Sequence, residues 1–241
     1  MKHDNRIFNI LYMICACLTL TAIARPLLSQ RAIPAIASAS PPAASIDPAP
    51  SDPVPADIRR TALTFDDGPH PVYTEQLLDG LKERGVKATF FVTGEHAELH
   101  PDIIRRMHEE GHLIGNHTYS HIQLTTANRD KFKNELIQTN EILYDITGDE
   151  IQYVRPPYGS WDKKLETDLN MFPVLWNVDP LDWNTANAGR VASAVINKVS
   201  DNDIILLHDY YDTSVEAALM IIDELMQQGY EFGTVDKILF D

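Results

Sequence analysis

From residue 59 onward, short apolar runs alternate with longer segments in which apolar residues recur at helical spacing. Six runs have the length and composition of strands, namely 62–65, 88–92, 113–114, 153–154, 174–176 and 204–207. Helical periodicity extends over 73–85, 100–110, 129–147, 189–200 and 214–228. This alternation predicts an α/β fold with a parallel sheet and outer helices, either as an open sheet or as a barrel.

The chain before this region has a different character. Residues 1–24 begin with basic side chains, continue as an apolar run and end on small residues, which is typical of a signal peptide. The alternative is a retained membrane anchor, because the run reaches the lower length limit of a spanning helix. Residues 25–58, rich in proline, alanine and serine, predict a linker. We therefore expect an exported protein, whether secreted, periplasmic or held at the cell envelope, with one domain over 59–241.

Charge and cysteine content exclude several functions. The net charge of −15 argues against binding of nucleic acid, which needs a basic surface. We also expect no membrane contact beyond a possible anchor in residues 1–24. The only two cysteines, Cys15 and Cys17, lie in that first apolar run. A disulfide scaffold or a cysteine zinc site is therefore excluded for the domain.

Polar clusters follow five of the predicted strands. They are Asp66-Asp67-Gly68-Pro69, His117-Thr118-Tyr119-Ser120-His121, Arg155-Pro156-Pro157-Tyr158-Gly159, the segment 179–183, and His208-Asp209. Active sites of α/β folds form where the carboxyl ends of parallel strands meet. The sequence therefore predicts that all five clusters face one rim.

Two of these clusters contain residues suited to metal chemistry. His117 and His121 have the four-residue spacing that places two imidazoles on one face of a helical turn, although such pairs also occur by chance. Asp66 and Asp67 form an equally good turn sequence, but one carboxylate could bind a metal while the other accepts a proton. A carboxylate joined to two histidines would leave coordination positions open for water and substrate.

Arginine and histidine residues add acid–base chemistry to the same rim. Arg155 near the basic carboxylate would keep it ionised and oriented. His208 follows a buried apolar run, where a lone histidine is more often structural. A second carboxylate, Asp182, could instead tune His208 as a general acid.

In sequence order, the five clusters resemble the five motifs of the polysaccharide deacetylases, carbohydrate esterase family four, over residues 60–241. The resemblance implies a distorted (β/α) barrel of about seven strands. It implies Asp66 as general base and a metal site of Asp67, His117 and His121. It further implies that Arg155 orients this base and that His208 is the general acid, with its pKa tuned by Asp182. The backbone N–H of Tyr158 would donate to the oxyanion. Three side chains would form the wall of a small acetyl pocket, namely Pro157, Trp183 and Leu206.

The family resemblance also implies a reaction. We expect a metal-dependent hydrolase that removes N-acetyl groups from a polysaccharide containing N-acetylglucosamine, with peptidoglycan first and chitin oligomers second. The alternatives are an O-acetyl esterase acting on acetylxylan and a non-catalytic glycan-binding module. The expected cofactor is one divalent metal, zinc first, with cobalt, manganese or nickel as substitutes. We expect a monomer whose partner is its polysaccharide substrate.

Overall fold

A parallel sheet forms the centre of the computed structural model, which describes residues 58–240. Its strands are β1 (Arg59–Asp66), β2 (Thr89–Val92), β3 (Leu113–Asn116), β4 (Tyr153–Val154), β5 (Phe172–Pro173), β6 (Asp203–His208) and β7 (Tyr230–Phe232). The order across the sheet is β5-β4-β3-β2-β1-β6, and β7 pairs with the start of β1. Every pairing of these strands is parallel.

Helices connect successive strands and cover the sheet. They are α1 (Tyr73–Arg84), α2 (Gly94–Leu99), α3 (Pro101–Glu109), α4 (Arg129–Thr147), α5 (Lys164–Leu169), α6 (Ala188–Ile196), α7 (Asp212–Gln227) and α8 (Val235–Phe240). Helix α1 ends where Gly85 adopts a left-handed conformation, at φ 66°, and donates its N–H to the carbonyls of Leu81 and Lys82. Within the described residues, none of the helices combines the length and apolar character needed to cross a membrane.

The core lies between the sheet and the helices. The last six residues of β1 and all of β2 are buried, without the alternation of a strand that has one wet face. This pattern is expected for a parallel strand that is covered on both faces. Leu63, Phe65 and Phe90 belong to a cluster that includes Leu81 of α1 and Ile222 of α7.

Residues 172–178 link the two ends of the sheet. At one end, the N–H of Val174 donates to the carbonyl of Val154 in β4. At the other end, Val178 bridges to Ile205 of β6, and Leu206 donates to the carbonyl of Val178. The segment therefore contacts both β4 and β6 and curls the sheet, which confirms the expected distorted barrel of about seven strands.

Some elements differ from the sequence-based expectations. The strand expected at 174–176 is wrong, because β5 ends at Pro173 and the following residues cross to β6. The short elements α2, α5, α8 and β7 were not predicted, because each has too few residues to show a period. The expected export segment 1–24 and the linker up to residue 57 lie outside the described residues. The described domain is one compact unit.

Candidate active site and metal centre

The carboxyl ends of the strands surround a pocket of about 360 Å³. Each of the five polar clusters contributes at least one residue to its lining, which is Asp66, Asp67, His117, His121, Pro156, Tyr158, Trp176, Asp179, Trp183, Leu206, His208 and Tyr211. The expectation that the clusters share one rim is therefore confirmed. Arg155 and Asp182 are buried behind this lining.

Asp67, His117 and His121 converge at the pocket floor. Asp67 Oδ1 lies 3.4 Å from His117 Nε2 and 3.3 Å from His121 Nε2. The ligand atoms of a tetrahedral zinc site, with bonds of about 2.0–2.1 Å, lie about 3.3–3.4 Å apart. Asp67 Oδ1 is also buried without a hydrogen-bond partner among the described residues. These three residues therefore fit a metal ion and could hold one.

The two histidines converge through loop geometry. They lie after β3 rather than on a helical turn, so the helical interpretation of their spacing is wrong. Thr118 and His121 have positive φ values of 63° and 54°, and Asp67 has one of 74°. Non-glycine residues in this region are uncommon and cluster at functional sites.

Hydrogen bonding and charge prepare the cluster for a cation. His117 Nδ1 donates to the carbonyl of Arg155 at 2.6 Å, which leaves the Nε2 lone pair facing Asp67. Burial by itself would raise the pKa of Asp67, but His117, with help from His121 and His208, lowers it to about 2. Burial lowers the pKa of His121 despite the opposing charge of Asp67, which favours the neutral imidazole that a metal needs.

The Asp66 carboxylate has a hydrogen-bond partner, whereas Asp67 Oδ1 has none among the described residues. Asp66 Oδ1 accepts a hydrogen bond of 2.8 Å from Arg155 Nη1, and both side chains are almost fully buried. Arg155 also donates to Thr64 Oγ1 and lies over the ring of Phe91. This set of contacts fixes one carboxylate oxygen of Asp66 and leaves Oδ2, which is 3.9 Å from His117 Nε2, on the pocket side.

His208 lies next to Asp66 in the register between β6 and β1. Its Nδ1 bonds Asp182 Oδ1 at 2.8 Å, while Asp182 Oδ2 accepts from the backbone N–H of His208 and from Ser214 Oγ. Burial alone would lower the pKa of His208, but the hydrogen bond and charge of Asp182, with Asp66 and Asp67, raise it to about 9. His208 is therefore protonated near neutral pH, and its Nε2 lies 4.0 Å from Asp67 Oδ2.

The apolar wall of the pocket differs in part from expectation. Trp183 and Leu206 line it as expected, but Pro156 takes the place predicted for Pro157. Pro157 is buried in the 3-10 turn 157–159, in which Tyr158 has a φ of 60°.

Trp176, Asp179 and Tyr211 also line the pocket, and sequence reasoning missed Trp176 and Tyr211. The sequence predicts Trp176 in a strand that does not form. Tyr211 lies shortly after the His208-Asp209 cluster, and this proximity is the one signal that could have identified it.

A further buried carboxyl lies behind the metal cluster. Asp209 is almost fully buried and accepts a hydrogen bond from Thr74 Oγ1 in α1. Burial raises its pKa to about 7. A Cβ at Gly68 would lie 2.3 Å from both Asp209 oxygens, so only glycine fits directly after Asp67. The glycine of the Asp-Asp-Gly-Pro cluster therefore allows close packing of the loop against Asp209, which directly follows β6.

Comparison with known proteins found a matching sequence profile and several similar proteins. The sequence profile described as Polysaccharide deacetylase matches residues 54–174. The peptidoglycan-N-acetylmuramic acid deacetylase PdaC of Bacillus subtilis is 41% identical over 177 residues, which are 73% of this chain and 38% of PdaC. A solved PdaC structure has a TM-score of 0.73 at 40% identity and covers 76% of this chain and 90% of that one.

Two other relatives align over more of their own length. The peptidoglycan-N-acetylglucosamine deacetylase of Bacillus cereus is 41% identical over 184 residues, covering 73% of this chain and 67% of that protein. The chitooligosaccharide deacetylase of Rhizobium leguminosarum bv. trifolii is 37% identical over 212 residues, covering 80% of this chain and 98% of that protein. Thus the chain spans well under half of PdaC but nearly all of the rhizobial protein.

Proposed function

The chain belongs to the polysaccharide deacetylase family, and we propose that it is a metal-dependent hydrolase of N-acetyl groups on a polysaccharide containing N-acetylglucosamine. One observation carries the proposal. The metal cluster, a buried carboxylate held by Arg155 and a histidine held protonated by Asp182 all meet at one small pocket. A non-catalytic glycan-binding module has no need for this pairing of a base with an acid.

Asp66 is the proposed general base. Arg155 holds Oδ1, so Oδ2 accepts the proton of the water that attacks the acetyl carbon. When bound at Asp67, His117 and His121, a divalent ion supplies Lewis-acid polarisation of the acetyl carbonyl. The N–H of Tyr158 is the proposed donor to the oxyanion that forms on that carbonyl.

His208 is the proposed general acid. An amide nitrogen leaves only when it is protonated, and His208 Nε2 is the donor because Asp182 occupies Nδ1. The raised pKa of His208, about 9, keeps the proton available at neutral pH. An alcohol leaving group has less need of an acid, so this feature favours N-deacetylation over the O-deacetylation of acetylxylan.

We propose zinc as the metal, since two imidazoles and one carboxylate suit it, with cobalt, manganese or nickel as substitutes. We propose peptidoglycan as the first substrate and chitin oligomers as the second. The names of the Bacillus relatives support the first and the name of the rhizobial relative supports the second. We also propose that the protein is exported, with residues 1–24 either cleaved or retained as an anchor, which N-terminal sequencing tests. We propose that it is a monomer, which light scattering tests.

Acetate release from peptidoglycan, chitooligosaccharides and acetylxylan, with and without a chelator, tests the proposal. We expect release from the first two, its loss after metal removal and its return with added zinc. Asp66→Asn and His208→Ala should each lose most of kcat while zinc binding, measured by dye competition, persists. Full activity of metal-free protein, or substantial turnover by either variant, would contradict the assignment.

A further inference from the structure

A second groove, of about 840 Å³, lies beside the catalytic pocket. Its walls are the segments 124–129 and 160–164. The first wall begins three residues after His121 and the second begins two residues after Tyr158, and both of these residues line the pocket. Since consecutive Cα atoms are about 3.8 Å apart, each wall starts within about 11 Å of a pocket residue. The groove therefore begins close to the catalytic pocket.

A hydrogen bond joins the two walls close to the pocket. Gln123 Nε2 donates to Ser160 Oγ at 3.1 Å. Arg129 extends the connection further along, with Nε 3.1 Å from Asp162 Oδ2. The two walls are thus held against each other by side chains, so the groove is a built feature rather than a gap between independent loops.

The groove carries positive charge on an acidic protein. Among its described lining residues, Arg129, Lys163 and Lys164 are cationic and Asp162 is the one anion. Lys163 and Lys164 are exposed, and neither pairs with an acidic side chain among those that the structure describes. A net charge of −15 repels polyanions at a distance, so this local excess of cations runs against the charge of the chain as a whole.

Arg129 is neutralised within the groove wall. Its Nε and Nη2 are buried, and they lie 3.1 Å from Asp162 Oδ2 and 3.9 Å from Asp168 Oδ2. The cations that remain to meet a ligand are therefore the exposed Lys163 and Lys164.

We propose that this groove, defined by 124–129 and 160–164, binds carboxylate groups of the same glycan strand whose acetyl group occupies the catalytic pocket. The inference rests on the proposed function and deepens it, because it selects a carboxylate-bearing glycan over a neutral one. Peptidoglycan strands with free stem-peptide carboxylates have this chemistry, whereas chitooligosaccharides do not. Charge complementarity acts on binding of the substrate, so it changes KM and leaves kcat on neutral substrates unaltered.

The test compares Lys163→Gln/Lys164→Gln with the wild type on soluble peptidoglycan strands and on chitopentaose. Lys82→Gln/Lys198→Gln is the control for the loss of two positive charges outside the groove, since Lys82 lies in the last turn of α1 and Lys198 follows α6. We expect KM for peptidoglycan to rise about fivefold in the groove variant, the size expected for two exposed charge pairs. We expect an unchanged KM for chitopentaose, and no change on either substrate in the control.

Salt provides a second readout. Raising ionic strength from about 0.05 M to about 0.5 M should reduce the difference in KM for peptidoglycan between the groove variant and the wild type, because screening weakens exposed charge pairs. An unchanged KM ratio in the groove variant would overturn the inference. So would an equal loss on both substrates, since that would indicate a disturbed pocket.

Binding separates failure of the groove from failure of the proposed function. If neither substrate releases acetate, the proposed function fails, and co-sedimentation with insoluble peptidoglycan still tests the groove. Wild-type protein and control variant should then sediment more than the groove variant at low salt. Equal sedimentation of all three would overturn the groove proposal.

Discussion

Asp182→Asn removes the charge that keeps His208 protonated while retaining a side chain of the same shape. Burial alone would lower the pKa of His208, and the hydrogen bond and charge of Asp182 are the largest contributions that raise it to about 9. An amide supplies no charge, so burial is opposed only by Asp66 and Asp67, and we expect the pKa of His208 to fall towards the ordinary histidine value of about 6.5. A fall of about two units or more corresponds to about 3 kcal/mol lost from the imidazolium form.

The change should be visible in the pH dependence of kcat. A general acid acts only while protonated, so the rate falls as pH rises through its pKa. At pH 8, about 90% of a group with a pKa of 9 is protonated, against about 3% for a pKa of 6.5. We therefore expect kcat of Asp182→Asn to fall about 30-fold at pH 8 and less than about twofold at pH 6 through ionisation. The measurement is acetate release by zinc-loaded protein between about pH 5.5 and about pH 10.

Ser214→Ala is the control, because Ser214 donates to Asp182 Oδ2 but carries no charge. Its loss leaves the carboxylate beside His208, so we expect the alkaline limb of the profile to stay within about half a pH unit of the wild type. An alkaline limb of Asp182→Asn at the wild-type position would refute the reasoning. A loss of kcat equal at every pH would refute it as well, because Asp182 would then not set the proton on His208.

Three further predictions concern the surrounding structure. Gly68→Ala should lower zinc affinity in dye competition and unfolding free energy by about 2 kcal/mol, because its Cβ meets the Asp209 carboxyl. Burial lowers the pKa of His112 to about 4 in the folded protein. Between about pH 6.5 and about pH 4, His112 therefore binds a proton in the unfolded chain but stays neutral in the folded one. Unfolding free energy in urea should therefore fall by up to about 3 kcal/mol from pH 7 to pH 4, and His112→Asn should reduce that slope. Arg155→Lys keeps a cation near Asp66 but loses several hydrogen bonds, and should lower unfolding free energy by about 3 kcal/mol together with kcat.

The sequence was sufficient for features that depend on long patterns. Apolar runs located β1, β2, β3, β4 and β6, and the phase of the polar clusters placed the site at the carboxyl rim. The position of each polar cluster directly after a strand was informative, because the carboxyl ends of parallel strands lie at one edge of the sheet for any loop conformation. The same reasoning brought Asp66 and His208 together, which the strand register confirms.

The remaining features depend on loop conformation. His117 and His121 converge because Thr118 and His121 are left-handed, and no residue period encodes that geometry. Trp176 lines the pocket because residues 174–178 cross from β4 to β6. Their apolar composition predicts a strand, and it carries no information about this crossing, which depends on tertiary contacts. Pro156 and Pro157 are adjacent and alike, so only the backbone of the turn decides which one lines the pocket.

Arg155, whose buried guanidinium orients Asp66, also binds the segment that closes the barrel. Arg155 Nε and Nη2 donate to the carbonyls of Val174 and Leu175, which belong to the segment that closes the barrel. Before that segment is in place, these donors lack their acceptors, and a cation in an apolar core cannot hold the base in position. Orientation of the base therefore depends on closure of the barrel by residues 172–178. We expect a chain in which this segment is displaced to lose deacetylase activity even where the metal ligands are intact.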